Sequence, residues 1–301
     1  MVKVTMLGTA SPIPDPERAQ SSFVVTVDGH HYLFDIGHGA VRRLIEAHID
    51  PTDVQVIFLS HLHHDHTADL PYFLLTTWMD GRQEKPHILG PRRTDQFVEG
   101  LLENGAYALD IEVRLQKDQD QKRRVARHVE AIRPQITILS PGAVYEDEHI
   151  TVYADYGIHI ASEHTDCFGF RIETKREGKV IAYSGDTAPS ERITELAQGS
   201  DLLIHECTYP TKAIQFNERF RDFHTNPLEL GEIAAKANVK QLIATHLTNF
   251  QTTNPIVKKH VSQYIPAEYL GPQLLDEVIA DIRKHYAGPL RIAEDLMRID
   301  L

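Results

Sequence analysis

The sequence predicts an α/β protein in which two mixed β-sheets pack face to face between outer layers of helices, an αββα four-layer sandwich. Strand-like and helix-like segments alternate along the chain, and this alternation runs through two successive halves. The 301 residues contain neither a low-complexity linker nor a short repeat, and 42% of them are hydrophobic, enough for a large core. We therefore predict one domain over residues 1–301, with a helical C-terminal segment at about 251–286.

The first half alternates β-like runs with helical stretches. An Asp-Gly pair at 28–29 predicts a tight hairpin turn between two of these runs. Residues 54–60 form a β-branched and mainly apolar run, which is typical of a strand covered on both faces, and Pro71 suits the first turn of the following helix. The predicted elements are strands at 2–7, 22–27 and 31–36, a helix at 40–49, a strand at 54–60, a helix at 69–79, a strand at 87–91 and a helix at 93–105.

The second half returns to β-like runs after a strongly charged stretch at 117–133, which we interpret as a solvated helix face in preference to a nucleic-acid contact. Asn226 and Pro227 are the residue types expected at the N-cap and first turn of a helix. The predicted elements are strands at 149–156, 168–174 and 179–186, a helix at 190–199, a strand at 201–206, a helix at 226–239, a strand at 241–246, helices within 255–286 and a strand at 296–300.

Composition narrows the classes of partner and the compartment. The 31 Lys and Arg against 43 Asp and Glu give a net charge of −12, which disfavours broad binding to nucleic acid or anionic membranes. Two cysteines, Cys167 and Cys207, are too few for a disulfide framework. The N-terminus lacks the features of a signal peptide, and no apolar run is long enough to span a membrane. We therefore expect a cytoplasmic protein.

The stretch FLSHLHHDHT at 58–67 is the strongest chemical signal in the chain. His61 and His63 are two residues apart on extended backbone, so their side chains point the same way and can converge on one ion. Asp65 and His66 follow where the chain turns toward a helix, and they can reach a second ion. Imidazole nitrogen with carboxylate oxygen suits Zn²⁺, and also Mn²⁺ or Fe²⁺. His64 is out of phase with these ligands, and we expect it to point away.

Three later residues complete a site for two divalent metal ions. His164, Asp186 and His246 each adjoin a β-like run, where the edge of a sheet could present them to a shared cleft. Asp186 is the natural bridge, because a carboxylate has two oxygens and can neutralise two cations together. Asp35 either supports this metal loop or serves a structural turn.

The segments SHLHHDH, His164, SGDT and ATHL, in this order, resemble the metallo-β-lactamase superfamily over residues 1 to about 250. The resemblance implies the αββα sandwich, with a dinuclear metal cleft at one edge. It also implies a distribution of ligands in which one ion is held by His61, His63 and His164, the other by Asp65, His66 and His246, with Asp186 as the bridge.

The segments LLIHECTY and FHTNPLELGEIAAKANVKQLIATH are similar to the branch that contains ribonuclease Z and arylsulfatase-type hydrolases. The resemblance implies that Glu206 and His224 form a pair that assists the leaving group. Chemistry supports the pair independently, since a carboxylate orients an imidazole and keeps it basic enough to donate a proton. Together with Asp65, which can accept a hydrogen bond from the nucleophile, they are the predicted catalytic residues.

The chain departs from ribonuclease Z at KREGK (175–179), where that enzyme carries a long arm that grips transfer RNA. From this and the acidic charge we expect a small-molecule ester substrate, a phosphodiester before an aryl sulfate, cleaved by a metal-bridging hydroxide. Nucleic acid is then an unlikely partner, and a homodimer is plausible. The alternatives are a lactonase or thioesterase, a ribonuclease Z-like RNA endonuclease, and a non-catalytic metal-binding sensor.

Overall fold

The computed structural model describes residues 1–121, 129–159 and 166–301. In these ranges the strands are β1 (Val2–Gly8), β2 (Ser22–Val27), β3 (His30–Phe34), β4 (Val54–Phe58), β5 (His87–Gly90), β6 (Gln135–Ile138), β7 (Gly142–Glu146), β8 (Ile150–Tyr156), β9 (Phe168–Thr174), β10 (Val180–Tyr183), β11 (Leu202–Glu206), β12 (Leu242–Thr245), β13 (Leu290–Ile292) and β14 (Arg298–Asp300).

The α-helices of the same ranges lie between strands along the chain. They are α1 (Ala40–Glu46), α2 (His64–Thr67), α3 (Leu70–Met79), α4 (Thr94–Leu102), α5 (Ala108–Gln121), α6 (Glu191–Leu196), α7 (Pro227–Lys236), α8 (Pro255–Val261) and α9 (Gln273–Arg283). Within the described ranges, no helix is long and apolar enough to cross a membrane. Part of the charged stretch predicted at 117–133 lies outside the described residues.

The strands form two mixed sheets, which confirms the predicted αββα sandwich. One sheet has the order β14-β1-β2-β3-β4-β5-β6 and the other β13-β12-β11-β10-β9-β8-β7. In the first sheet β3 to β6 are parallel, and in the second β10 to β13 are parallel. Parallel strands present their carboxyl ends at one edge, so the loops that follow β4, β10, β11 and β12 can build a common site.

Aromatic side chains fill the space between the sheets. Phe34 stacks on Phe23 and on Phe58, with ring centroids 5.0 and 4.7 Å apart, and Phe170 of the second sheet meets Phe34 edge-on at 5.6 Å. Such offset and edge-on contacts add to the hydrophobic stabilisation of a core. The interlayer packing joins the two sheets directly beneath the edge that carries the site.

Three strands are absent from the sequence-based prediction: β6, β7 and β13. β6 and β7 end their sheets on one side, and β13 ends the second sheet on the other. All residues of β6, β7 and β13 are exposed or half-buried. A short edge strand with little burial has no strong apolar pattern, and its pairing depends on the neighbouring strand.

Candidate metal centre

The predicted ligand motif lies at the end of β4, where the two sheets meet. His61 and His63 follow the strand on the way into α2, and Asp65 and His66 lie within that short helix. The backbone N–H of Phe168, at the start of β9, donates over 2.9 Å to the carbonyl of the residue before His61. The first-sheet ligands are therefore held directly against the second sheet.

Two further predicted ligands come from the second sheet. Asp186 follows β10 and His246 follows β12, and both strands run parallel to β11 between them. Gly185 has φ +58°, and a Cβ there would lie 2.4 Å from the carbonyl oxygen of Phe168. Only glycine fits this turn, which brings the Asp186 side chain to the sheet edge.

His159 completes a three-histidine group that the sequence analysis missed. One ligand nitrogen from each of His61, His63 and His159 lies within 4.8 Å of the others. The Nδ1 of His159 donates to the carbonyl of Phe223 over 2.8 Å, which leaves its Nε2 free to face the group. The predicted ligand His164 lies outside the described residues. The sequence feature that could have pointed to His159 is its position shortly after β8. The same criterion, a polar residue at the end of a strand, selected Asp186.

A second group consists of Asp65, His66, Asp186 and His246, whose ligand atoms also lie within 4.8 Å of one another. The Nε2 of His246 is 3.2 Å from Asp65 Oδ2 and 3.3 Å from Asp186 Oδ2. Asp186 also faces the three-histidine group, since its Oδ2 is 3.9 Å from His61 Nε2 and 3.8 Å from His159 Nε2. Asp186 thus stands between the two groups, as a bridging ligand must.

The residues of both groups fit divalent cations. The Nε2 atoms of His61 and His66 and the Oδ1 atom of Asp186 are buried without a hydrogen-bond partner among the residues that the structure describes. Leaving buried polar atoms unsatisfied costs about 1–3 kcal/mol each, so several lone pairs facing one small space need an explanation. Coordinated metal ions provide it, and the nitrogen and oxygen donor set suits Zn²⁺, Mn²⁺ or Fe²⁺.

Three of these candidate ligands have lowered pKa values, which keep them in the deprotonated form that binds metal. Burial, reinforced by neighbouring imidazoles, holds the pKa of His61 well below its usual value and lowers that of His63 to about 4. Both rings are therefore neutral near pH 7, the form that binds metal. Burial opposes the charge on Asp65, but His66 and His246 outweigh burial and lower its pKa to about 2. Asp65 thus offers an ionised carboxylate.

Asp35 contacts the loop that carries the candidate ligands, and with φ +53° it also lies in a turn, so it has both features considered for it. It is fully buried and accepts hydrogen bonds from Ser60 N, Ser60 Oγ and Tyr183 Oη at 2.7, 2.8 and 2.7 Å. It also lies 2.8 Å from His66 Nδ1. Because Nδ1 is engaged by this carboxylate, Nε2 of His66, which lies 3.4 Å from Asp186 Oδ1, is the ring nitrogen left to face a metal ion.

Glu206 and His224, the predicted leaving-group pair, are in direct contact. The Nδ1 of His224 donates to Glu206 Oε1 over 2.8 Å. Burial disfavours the charged ring, but the Glu206 carboxylate outweighs burial and raises the pKa of His224. The ligand atoms of His159, Asp186 and His224 lie within 4.8 Å of one another. His224 is therefore placed to move a proton at the metal centre.

Thr208 connects this pair to the metal ligands. Its hydroxyl lies 2.7 Å from Glu206 Oε2 and 2.7 Å from His246 Nδ1. An ionised carboxylate only accepts, so Thr208 donates to Glu206 and accepts from His246. His246 therefore carries a proton on Nδ1, which donates to Thr208, and its Nε2 is the nitrogen that faces Asp65. The sequence analysis did not single out Thr208, which stands two residues after Glu206.

Known proteins resemble this chain over most of its length. The sequence profile of the family described as Anti-Pycsar protein Apyc1 matches residues 2–253. Ribonuclease Z of Mycolicibacterium gilvum (strain PYR-GCK) is 31% identical over 311 residues, which cover 100% of this chain and 96% of that protein. Ribonuclease Z of Mycobacterium marinum (strain ATCC BAA-535 / M) is 29% identical over 314 residues, with 100% and 99% covered.

Solved structures share the fold. The metallo-β-lactamase fold protein YhfI from Bacillus subtilis superposes with a TM-score of 0.71 at 19% identity, covering 100% of both chains. The short form of human tRNase Z superposes with a TM-score of 0.64 at 21% identity, covering 99% of this chain and 98% of that one. Both likenesses confirm the predicted two-sheet sandwich.

The relatives correct one expectation. A small-molecule ester substrate, with nucleic acid an unlikely partner, is wrong, because the curated relatives are named as ribonucleases. A net charge of −12 is a sum over the chain and does not describe the local surface around a cleft. The chain belongs to the Anti-Pycsar protein Apyc1 family, within the ribonuclease Z branch of the metallo-β-lactamase superfamily, and it is a metal-dependent hydrolase that acts on ester bonds.

Proposed function

We propose that this protein is a ribonuclease Z-like enzyme that hydrolyses phosphodiester bonds in RNA. The observation that carries this proposal is the Glu206–His224 pair beside the two ligand groups. Hydrolysis of an RNA diester expels a ribose alkoxide, a poor leaving group that gains from protonation by a general acid. An aryl ester expels a phenolate and needs such an acid less. Relatives of up to 31% identity over the whole chain, named ribonuclease Z, support the same substrate class.

The ligand groups divide between two ions in this proposal. His61, His63 and His159 would hold one ion, and Asp65, His66 and His246 would hold the other, with Asp186 between them. Divalent ions bound there would lower the pKa of a water molecule and offset the charge of the phosphate oxygens. The nitrogen atoms of His61, His63 and His159, which lie within 4.8 Å of one another, support His159 as the third ligand of the first ion.

The protein side chains then supply proton transfer. Asp65 is ionised and can accept a hydrogen bond from the attacking water, which orients a lone pair toward phosphorus. His224 donates its proton to the departing ribose oxygen, and Glu206 keeps the ring charged and oriented until then. Thr208 holds Glu206 in place through its hydroxyl.

Labelled RNA provides the test. A 5′-labelled tRNA transcript with a 3′ extension and an unstructured RNA oligonucleotide would be incubated with the Zn²⁺- or Mn²⁺-loaded protein. We expect cleavage that a chelator stops and that His224→Ala greatly slows. The matched control is His285→Ala, an exposed histidine near the end of α9. Hydrolysis of bis-p-nitrophenyl phosphate with both RNAs left intact would refute RNA as the substrate.

A further inference from the structure

Three short segments at the candidate metal centre are hydrogen-bonded to one another. They are residues 157–159 after β8, 185–188 after β10 and 223–225 before α7, here called the β8, β10 and α7 segments. The β8 segment carries His159, the β10 segment Asp186 and the α7 segment His224. Ligand atoms of these three residues lie within 4.8 Å of one another. The bonds among the segments therefore determine where the proposed general acid lies relative to the candidate ligands.

The first contact joins the β8 segment to the β10 segment. The backbone N–H of Ile158 donates to Thr187 Oγ1 over 2.8 Å, and the N–H of Ala188 donates to the Ile158 carbonyl over 2.6 Å. Gly157 permits this approach, because a Cβ there would lie only 3.2 Å from Thr187 Oγ1. The Thr187 hydroxyl thus holds the backbone directly before the candidate ligand His159.

The second and third contacts involve the α7 segment. Thr225 Oγ1 donates to the Thr187 carbonyl over 2.7 Å, and both threonines are buried. The Phe223 carbonyl accepts from His159 Nδ1 over 2.8 Å. The two residues that flank His224 are therefore bonded to the other two segments, and the three segments form a closed triangle. Loss of the Thr225 hydroxyl would leave a buried carbonyl without this partner, which is costly.

Thr187 also contacts the acid pair directly. Its backbone N–H donates to Glu206 Oε1 over 2.8 Å, and the same oxygen accepts from His224 Nδ1. The N–H, carbonyl and hydroxyl of Thr187 thus bind Glu206, Thr225 and Ile158 respectively. Each polar group of this fully buried residue is directed at a different part of the site. A threonine that served only the fold would not need to bind the carboxylate that orients the acid.

We infer that Thr187 and Thr225 are positioning residues that fix the general acid relative to the two ligand groups. This inference rests on the proposed function, since it takes His224 as the proton donor. The Thr225 hydroxyl ties the segment of His224 to Thr187, and Thr187 in turn holds Glu206. Misplacement of a catalytic group by about 1 Å can lower a rate about 10²-fold, so bonds that fix its position affect turnover.

Two diesters that differ in leaving group test this inference. Diphenyl phosphate expels phenolate, a poorer leaving group than p-nitrophenolate, and therefore gains more from a proton than bis-p-nitrophenyl phosphate does. We expect Thr225→Val to lower kcat about tenfold for diphenyl phosphate and for RNA, and less than about twofold for bis-p-nitrophenyl phosphate. Metal content should remain at the wild-type level. Thr225→Ser, which restores the hydroxyl, should recover most of the rate.

The matched control is Thr194→Val in α6. Thr194 is buried and its hydroxyl donates to the Ser190 carbonyl over 2.8 Å, so the substitution removes the same kind of bond outside the three segments. It should lower Tm as Thr225→Val does, yet leave the ratio of the two diester rates unchanged. Thr187→Val is the second variant if Thr225→Val does not fold. It removes the acceptor of Ile158 and should change the same ratio.

The outcomes separate this inference from the proposed function. An equal loss on both diesters in Thr225→Val, wild-type rates on both, or the same change of ratio in Thr194→Val would overturn the positioning role. Failure of Thr225→Ser to recover the rate would also overturn it. Wild-type protein that hydrolyses both diesters but leaves RNA intact would refute RNA as the substrate, and the diester ratio in Thr225→Val would then still decide the role of Thr225.

Discussion

The two sheets contribute to the candidate metal centre in different ways. The first supplies His61, His63, Asp65 and His66 from six consecutive positions, whose geometry follows from one strand end and one helical turn. The second supplies His159, Asp186 and His246 from three separate strand ends. Local backbone geometry fixes the relative positions of the first group of residues, whereas strand register across the sheet fixes those of the second. Changes in the second sheet should therefore disturb how the two ligand groups meet.

The largest expected effect comes from removing the residue that joins the two regions. Asp186→Ala deletes the carboxylate that faces both ligand groups, so metal content should fall and phosphodiester hydrolysis should drop by at least about 10³-fold. Metal analysis and steady-state rates measure both. His64→Ala is the control from the same motif, because the His64 side chain is 72% exposed. Full metal content in Asp186→Ala would show that the two groups do not share this ligand.

Removing the proton donor should have the next largest effect. His224→Ala is expected to slow RNA cleavage by about 10²-fold, the usual size of general acid catalysis. The loss should be smaller for bis-p-nitrophenyl phosphate, because its leaving group is already stable as an anion. Parallel assays of both substrates measure the difference. An equal loss on both would contradict the role of His224 as an acid.

The supports of the two regions can be compared directly. Asp35→Asn weakens the partner of His66 in the first region, and Thr208→Val removes the partner of His246 in the second. Loss of such supporting groups typically lowers metal affinity about 10–100-fold. We expect Asp35→Asn to have the larger effect on metal affinity, since Asp35 accepts from Ser60 and Tyr183 as well.

Competition with a chromogenic chelator would measure both affinities. Thr208→Val should instead lower the rate of RNA cleavage more than metal affinity, because Thr208 also bonds Glu206. The ratio of rate loss to loss of metal affinity should therefore be larger for Thr208→Val than for Asp35→Asn. Equal ratios would contradict a role of the Thr208 hydroxyl in positioning Glu206 and His224.

The smallest expected effect is a shift in pH dependence. The Glu206 carboxylate raises the pKa of His224 against the effect of burial, so the ring keeps its proton at higher pH. Activity that needs this proton falls as pH rises through that pKa. Glu206→Gln removes the negative charge, and the alkaline limb of kcat/KM should move to lower pH. An unchanged limb in the profile for RNA would argue that another group is the acid.

Sequence patterns alone were enough to predict the fold class and to locate the candidate ligands that follow β4. Period-two and helical patterns over long, buried segments predict the layers, and His61 to His66 are placed by backbone spacing within one short stretch. Glu206 and His224 were recognisable as a pair only through family resemblance, 18 residues apart on different segments.

Which residues meet from separate strands depends on how the sheets pair and pack, which the sequence pattern does not show. His159 lies beside His63 because β8 ends at the same edge as β4, and neither spacing nor residue type distinguishes it in advance from other histidines after a strand. The contact between the Thr208 hydroxyl and His246 likewise depends on long-range packing. Contacts within a strand end follow from local backbone geometry, whereas contacts between strand ends depend on the register and closure of two whole sheets.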